Sequence, residues 1–146
     1  MAGQGKTTRL YATRLTDEGW KVLFICIPNS PHVGVVPIPT SHGVSKQRYP
    51  DIAALKNDQL LLVEVEMGLS DAVSQDIVLR FNEMRQALGN PALYRSWSQR
   101  VGLVSGHEMP LAPRIESRLL LVNGFDERSI NFVKSLELHN ISVERA

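Results

Sequence analysis

The sequence predicts an α/β (α+β) protein in which helices flank a central mixed sheet. Three observations predict this class: strand-like and helix-like runs are interleaved, a hairpin occupies the middle of the chain, and a capped helix directly follows it. Interleaved strands and helices are typical of layered folds, where the helices bury the faces of one sheet. At 146 residues the chain is expected to form a single domain, 1–146, with an ordinary hydrophobic core.

Composition narrows the class of protein. Hydrophobic residues make up 43% and charged residues 21% of the chain, which is typical of globular and not of disordered proteins. No apolar run approaches the ~20 residues of a membrane span. The single cysteine, Cys26, lies in an apolar run and predicts a buried thiol in a reducing compartment. We therefore expect a cytoplasmic protein with no membrane partner. The net charge of +1 leaves nucleic-acid binding open, because a local basic patch can exist in a neutral chain.

The first element is a predicted helix over 6–19. Its apolar side is formed by Leu10, Tyr11 and Leu15, and Glu18 falls on the same side. Two interpretations of Glu18 stay open. It is either exposed to solvent at the frayed last turn of the helix, or it is a carboxylate that faces the sheet. After Gly19, residues 20–27 predict a strand buried on both faces, and the proline-rich stretch 28–47 predicts a long loop with a possible strand at 33–36.

The central hairpin spans 50–67. One apolar strand begins at Pro50-Asp51, the turn falls at Lys56-Asn57-Asp58, and a second strand runs over 59–67. Side chains alternate along a strand, so Leu62, Glu64 and Glu66 are expected on one face. The opposite face should carry Leu61, Val63, Val65 and Met67.

Acidic residues interrupt this apolar hairpin. Glu64 and Glu66 share one face at a spacing of ~7 Å, and Asp51 enters on the neighbouring strand. Three acids near the middle of a buried sheet are costly unless a cation compensates them. Alternating glutamates at the end of an edge strand can also be simply solvent-facing, which protects the edge from pairing.

The second half of the chain continues the alternation of helices and strands. Ser70 or Asp71 is placed to cap a helix, and Gly89-Asn90-Pro91 stops it. Strands are expected at 100–105 and 117–123, followed by a last helix capped by Asp126. The apolar stripe of the first of these helices contains Val73, Ile77, Phe81, Met84 and Leu88, with Arg80 at its border.

The acids suggest a chemistry. Oxygen ligands select hard cations, so Mg²⁺ or Mn²⁺ is favoured over zinc. A magnesium ion held by Asp51, Glu64 and the carbonyl of Val65 would lower the pKa of a bound water and neutralise charge on a phosphate. Hydrolysis of a phosphodiester bond uses both effects. A glycosidase also uses two carboxylates, but Glu64 and Glu66 adjoin on one strand and do not flank a cleft. Gly5-Lys6-Thr7 matches the end of a phosphate-binding loop, but the first glycine of that motif and the strand before it are missing, so nucleotide binding is not expected here.

One stretch carries a family resemblance. Tyr49-Pro50-Asp51-Ile52, twelve intervening residues and then Glu64-Val65-Glu66 resemble the motif of the PD-(D/E)xK nuclease superfamily, which includes many restriction endonucleases and archaeal Holliday-junction resolvases. The resemblance implies a restriction-endonuclease-like αβββαβ core over about 6–105, with a peripheral strand and helix at about 117–146. It thus covers roughly two thirds of the chain.

The resemblance also implies a site and an activity. Asp51 and Glu64 are similar to the metal ligands, and Glu18 to the acid that many members carry on the first helix. Glu66 stands where the motif has a lysine, although some restriction enzymes of the superfamily have glutamate there and are active. Arg80 is an alternative source of positive charge. We therefore expect a Mg²⁺- or Mn²⁺-dependent deoxyribonuclease, endo- or exonucleolytic, with DNA as partner and a homodimer as a possible assembly. The alternative is a catalytically silent DNA- or protein-binding module on the same fold.

Overall fold

The computed structural model describes residues 3–31, 33–40, 47–124 and 126–146. Over these residues the chain is α+β, with four helices, a mixed five-stranded sheet and a two-stranded ribbon. In chain order the elements are α1 (Gln4–Asp17), β1 (Lys21–Ile25), β2 (Ile38–Pro39), β3 (Gln47–Arg48), β4 (Ile52–Lys56), β5 (Gln59–Glu66), α2 (Asp71–Leu88), α3 (Pro91–Ser105), β6 (Arg114–Leu121), α4 (Ile130–Leu138) and β7 (Ile141–Arg145).

The main sheet has the strand order β1-β4-β5-β6-β7. Strand β4 is antiparallel to both of its neighbours, whereas β5, β6 and β7 are parallel to one another. The carboxyl ends of β1, β5, β6 and β7 therefore lie at the same end of the sheet. The predicted central hairpin is confirmed as β4–β5: Lys56 pairs with Gln59, and Asn57 in the turn adopts a φ of 55°. The glutamates thus lie at the carboxyl end of β5, at the end of the sheet where four strands finish.

Two apolar layers cover the sheet. On one face, Leu61, Val63 and Val65 of β5 pack against Tyr11 and Leu15 of α1. On the other face, residues of α2, α3, α4 and the β2–β3 ribbon form a larger core with Leu60 and Leu62. The predicted alternation of β5 is therefore confirmed, and Glu64 and Glu66 lie on the face covered by α2.

Helix α3 replaces a predicted strand. Residues 100–105, expected to form a strand, are the last turns of Pro91–Ser105. The Asn90 side chain accepts hydrogen bonds from the N–H groups of Ala92 and Leu93 at 3.0 and 3.2 Å, so the signal that stops α2 also starts α3. The buried residues of this helix are Tyr94, Trp97 and Val101, whose spacing of three and four residues is that of one helix face.

Trp97 joins α3 to the rest of the core. Its side chain is 1% exposed, and its Nε1–H donates to the carbonyl of Val36 at 3.0 Å. The ring meets Phe24 of β1 edge to face, with 6.5 Å between the ring centroids. One side chain therefore connects α3, the sheet and the segment that leads into β2.

Smaller differences concern the strands. The strand expected at 20–27 is limited to Lys21–Ile25, and within 33–40 the strand lies at Ile38–Pro39 and not at 33–36. The edge strand β7 was not predicted. In the described part of the chain, no helix has both the length and the apolar character needed to cross a membrane.

Candidate functional site

The site begins where the β4–β5 ladder ends. The last paired residues are Ile52 and Val63, and one further step along both strands reaches Asp51 and Glu64. Asp51 continues the pairing with its side chain, because its Oδ2 accepts a hydrogen bond from the N–H of Val65 at 2.7 Å. Its main-chain carbonyl accepts from the N–H of Cys26 at 2.8 Å. The first contact holds the Asp51 carboxylate beside β5, and the second holds its main chain beside the residue that follows β1.

Glu64 is a buried acid next to Asp51. Its side chain is 2% exposed, and the two carboxyl groups lie within hydrogen-bonding reach of each other. Oxygen Oε2 of Glu64 is buried and has no hydrogen-bond partner among the described residues. Burial raises the pKa of Glu64 well above its usual value, and the charge of Asp51 raises it further. Burial also raises the pKa of Asp51, against the hydrogen bond from Val65. The pair therefore favours a shared proton or a cation.

These pKa shifts predict a dependence of stability on pH. The pKa of Glu64 is above its ordinary 4.5 in the folded chain. The folded state then binds more protons than the unfolded state between the two pKa values, so stability falls as pH rises through that interval. We expect the Tm, measured in EDTA, to fall as the pH rises above the ordinary pKa of 4.5, and Glu64→Gln to flatten this slope. A Tm that rises over this range in both proteins would contradict the burial of an acid here.

Arg80 of α2 supplies positive charge to the glutamates. Its Nη2 lies 2.8 Å from Glu66 Oε1, and its Nη1 lies 3.3 Å from Glu64 Oε1. Its Nε lies 3.1 Å from Asp76 Oδ2, at ion-pair distance but not aligned for a hydrogen bond. Burial alone would lower the pKa of Arg80, but the charges of Glu64, Asp76 and Glu66 raise it above its usual value. Glu66 is thus directed at Arg80 and not at the Asp51–Glu64 pair.

The carbonyl of Val65 points to the same side as its N–H, toward Asp51. There it accepts a hydrogen bond from the side-chain amide of Gln4, in the first turn of α1. A carbonyl oxygen has two lone pairs, so this contact leaves one for another partner. The amide of Gln4 therefore joins α1 to the site.

Glu18 is not part of this site. Its carboxylate is half-exposed and pairs with Arg14 Nε at 3.0 Å, one helical turn earlier. Its carbonyl accepts from Lys56 Nζ at 2.8 Å, at the turn end of the hairpin. Asp51 precedes the opposite end of β4, about 15 Å away for five residues of strand. In addition, α1 covers the face opposite to Glu64 and Glu66. The expected placement of Glu18 beside the other acids is therefore corrected.

The four acids expected at the site, Glu18, Asp51, Glu64 and Glu66, do not all converge. Among the described residues, no group of three or more His, Cys, Asp or Glu side chains is arranged to hold a metal ion. A smaller set still fits Mg²⁺ or Mn²⁺, since Mg²⁺ is commonly bound through one or two carboxylates, with waters and substrate phosphates as further ligands. Asp51 and Glu64 provide such a pair, with an unpartnered buried oxygen on Glu64. The carbonyl of Val65 is the neighbouring oxygen.

Two residues of this site were missed in the sequence. Asp76 stands four residues before Arg80, a spacing that predicts an ion pair on one helix face. Gln4 carried no signal, because a polar residue at the start of a helix is ordinary. Comparison of the chain with protein-family models, with curated proteins and with solved structures finds no match. The geometry of the site is therefore the basis on which a function can be inferred.

Proposed function

We propose that the protein is a divalent-metal-dependent deoxyribonuclease of the PD-(D/E)xK type. The observation that carries the proposal is an oxygen of the buried Glu64, beside the Asp51 carboxylate, that has no hydrogen-bond partner among the residues described. A buried carboxylate oxygen without a donor is costly, and such costs are concentrated at functional sites. Glu66 and Arg80 are partly exposed at this end of the sheet, so the site has access to solvent and to a substrate.

The arrangement of elements also supports the proposal. Leaving out the short β2–β3 ribbon, the chain runs helix, three antiparallel strands, helix and strand as α1, β1, β4, β5, α2 and β6. The superfamily core has this order: a helix, a three-stranded meander, a helix and a further strand. Between α2 and β6 the chain inserts α3, and β7 extends the sheet at its far edge.

Each residue of the site has a role in the proposed reaction. Asp51 and Glu64 would hold the cation, and the N–H of Val65 keeps the Asp51 carboxylate in place. A bound Mg²⁺ supplies a water of lowered pKa and neutralises charge on the scissile phosphate. Arg80 offers the positive charge that a motif lysine gives to other members. Glu66 orients Arg80 through their 2.8 Å contact.

One observation favours the alternative, a catalytically silent DNA-binding module. Arg80 already pairs with Glu64 and Glu66, so these acids have a cationic partner without a metal ion. Such a module would bind DNA with a salt-dependent affinity and would not cut it. The two functions thus differ in whether a divalent cation binds and bonds are hydrolysed.

The test is incubation of the purified protein with single-stranded, duplex and branched DNA in Mg²⁺ or Mn²⁺. We expect cleavage with either ion and none in EDTA, because the proposed reaction takes its activated water from the bound metal ion. Gel analysis of end-labelled DNA would give the products. A folded protein that binds DNA but leaves all three substrates intact in both metals would refute the nuclease and support the binding module.

A further inference from the structure

Arg80 is shared unequally among three carboxylates. The shortest of its ion-pair distances, 2.8 Å, is to Glu66, and its contact with Asp76 is 3.1 Å. The contact with Glu64 is longer, at 3.3 Å. Glu64 is the most buried of the three acids, with 2% of its side chain exposed against 25% for Glu66 and 56% for Asp76. The guanidinium therefore reaches inward from α2, and its innermost contact is also its longest.

The two carboxylate oxygens of Glu64 have different surroundings. Oε1 faces Arg80, while Oε2 is buried and has no hydrogen-bond partner in the part of the chain that the structure describes. Arg80 is thus the cationic partner of Glu64 among the described residues. A divalent cation at Asp51 and Glu64 would stand close to the guanidinium, and two positive charges at such a distance repel each other strongly where water is scarce.

We propose that Arg80 is the resident counter-cation of the Asp51–Glu64 pair and that it competes with the divalent cation for Glu64. This inference rests on the proposed function, because it takes the pair to be the metal site. When the metal binds, Arg80 releases Glu64 and keeps Glu66 and Asp76. The retained contacts are the shorter and more exposed ones, so the guanidinium moves toward solvent without losing its place on α2.

The proposal gives Glu66 a role that differs from that of a metal ligand. Glu66 is the anchor that holds Arg80 while Glu64 is occupied by the cation. A lysine at position 66 would repel Arg80, whereas glutamate pairs with it at 2.8 Å. The Glu66–Arg80 pair therefore stands as a unit in place of a single lysine, with the positive charge carried by the helix.

Calorimetric titration with Mn²⁺ tests the competition. We expect Arg80→Gln to bind Mn²⁺ at least about tenfold more tightly than the wild type, because the competing charge is gone. Arg80→Lys, which keeps the charge but loses the planar fork, should fall between the two. The matched control is Arg48→Gln: Arg48 makes a 2.8 Å ion pair with Glu83 on α2 and does not contact the site acids. Its Mn²⁺ affinity should equal that of the wild type.

A second measurement uses the unaltered protein. In ¹⁵N-arginine-labelled wild type, the guanidinium signal of Arg80 should shift on addition of Mg²⁺, whereas that of Arg48 should not. A folded Arg80→Gln with unchanged or weaker Mn²⁺ affinity, or an Arg80 signal unaffected by saturating Mg²⁺, would overturn the competition and leave the nuclease proposal standing. Binding of Mn²⁺ by Arg80→Gln but not by the wild type would support the competition and count against metal-dependent cleavage by the natural chain. No binding by either protein would overturn both.

Discussion

Glu64→Gln is expected to lower metal-dependent DNA cleavage by at least about a thousandfold. Stabilisation of charge by a catalytic metal ion is worth several kcal/mol, and each 1.36 kcal/mol of barrier is a factor of about ten. Glutamine keeps the shape of the side chain but loses the charge that would hold the cation. Because burial already favours the neutral form of Glu64, the substitution is expected to leave the Tm in EDTA at neutral pH unchanged or higher.

The measurement is the single-turnover rate on end-labelled DNA in Mg²⁺, with Asp51→Asn as a second variant. Glu83→Gln is the matched control, since Glu83 is a partly buried acid of α2 that pairs with Arg48 and not with Arg80. Its rate should be that of the wild type. Glu64→Gln and Asp51→Asn proteins that remain folded and cut at the wild-type rate would remove these residues from the proposed site.

Trp97→Ala is expected to lower the free energy of unfolding by about 3–5 kcal/mol, the usual cost of truncating a large buried aromatic residue. The side chain is 1% exposed and packs against Phe24 and Tyr94. Its loss would leave a cavity between α3 and the sheet and would also leave the carbonyl of Val36 without its donor. Chemical denaturation followed by circular dichroism gives the free energy directly.

Two further variants divide this loss into its causes. Trp97→Phe keeps most of the packing but removes the indole N–H, so about 1–3 kcal/mol of the loss should remain. Leu103→Ala is the surface control on the same helix, because Leu103 is 86% exposed, and it should change stability by less than about 0.5 kcal/mol. A Trp97→Ala protein as stable as Leu103→Ala would contradict the role of Trp97 as the link between α3 and the sheet.

Local sequence patterns were sufficient to predict the structure at the centre of the chain. The alternation over Gln59–Glu66 predicted which face Glu64 and Glu66 occupy, since a strand has a period of two regardless of its neighbours. The cap at Ser70, whose side chain accepts from the N–H of Val73 at 3.2 Å, gave the start of α2. These features depend on residues within a few positions of one another.

Features set by distant contacts were not predictable in this way. The β-branched and apolar residues of 100–105 favour a strand locally, but the burial of Trp97 and Val101 decides for a helix. Strand β7 is short and half-exposed, and it forms because β6 offers a free edge. Glu18 was expected on the apolar side of α1, yet the helix ends at Asp17, and the half-exposed carboxylate pairs with Arg14. Arg80 was recognised as a cation near the site, but its division among three acids depends on how α2 packs on β5.

The two-residue turn at Asn57-Asp58 has a consequence for how such a site can vary in sequence. Between Asp51 and Glu64 lie twelve residues: five in β4, two in the turn and five in β5. Residues on the two strands are matched in cross-strand pairs, so lengthening or shortening the hairpin with the same turn adds or removes two residues at a time. Chains that build this acid pair on a two-residue turn are therefore expected to separate the two acids by an even number of residues. An odd separation would indicate a longer turn or a β-bulge between them.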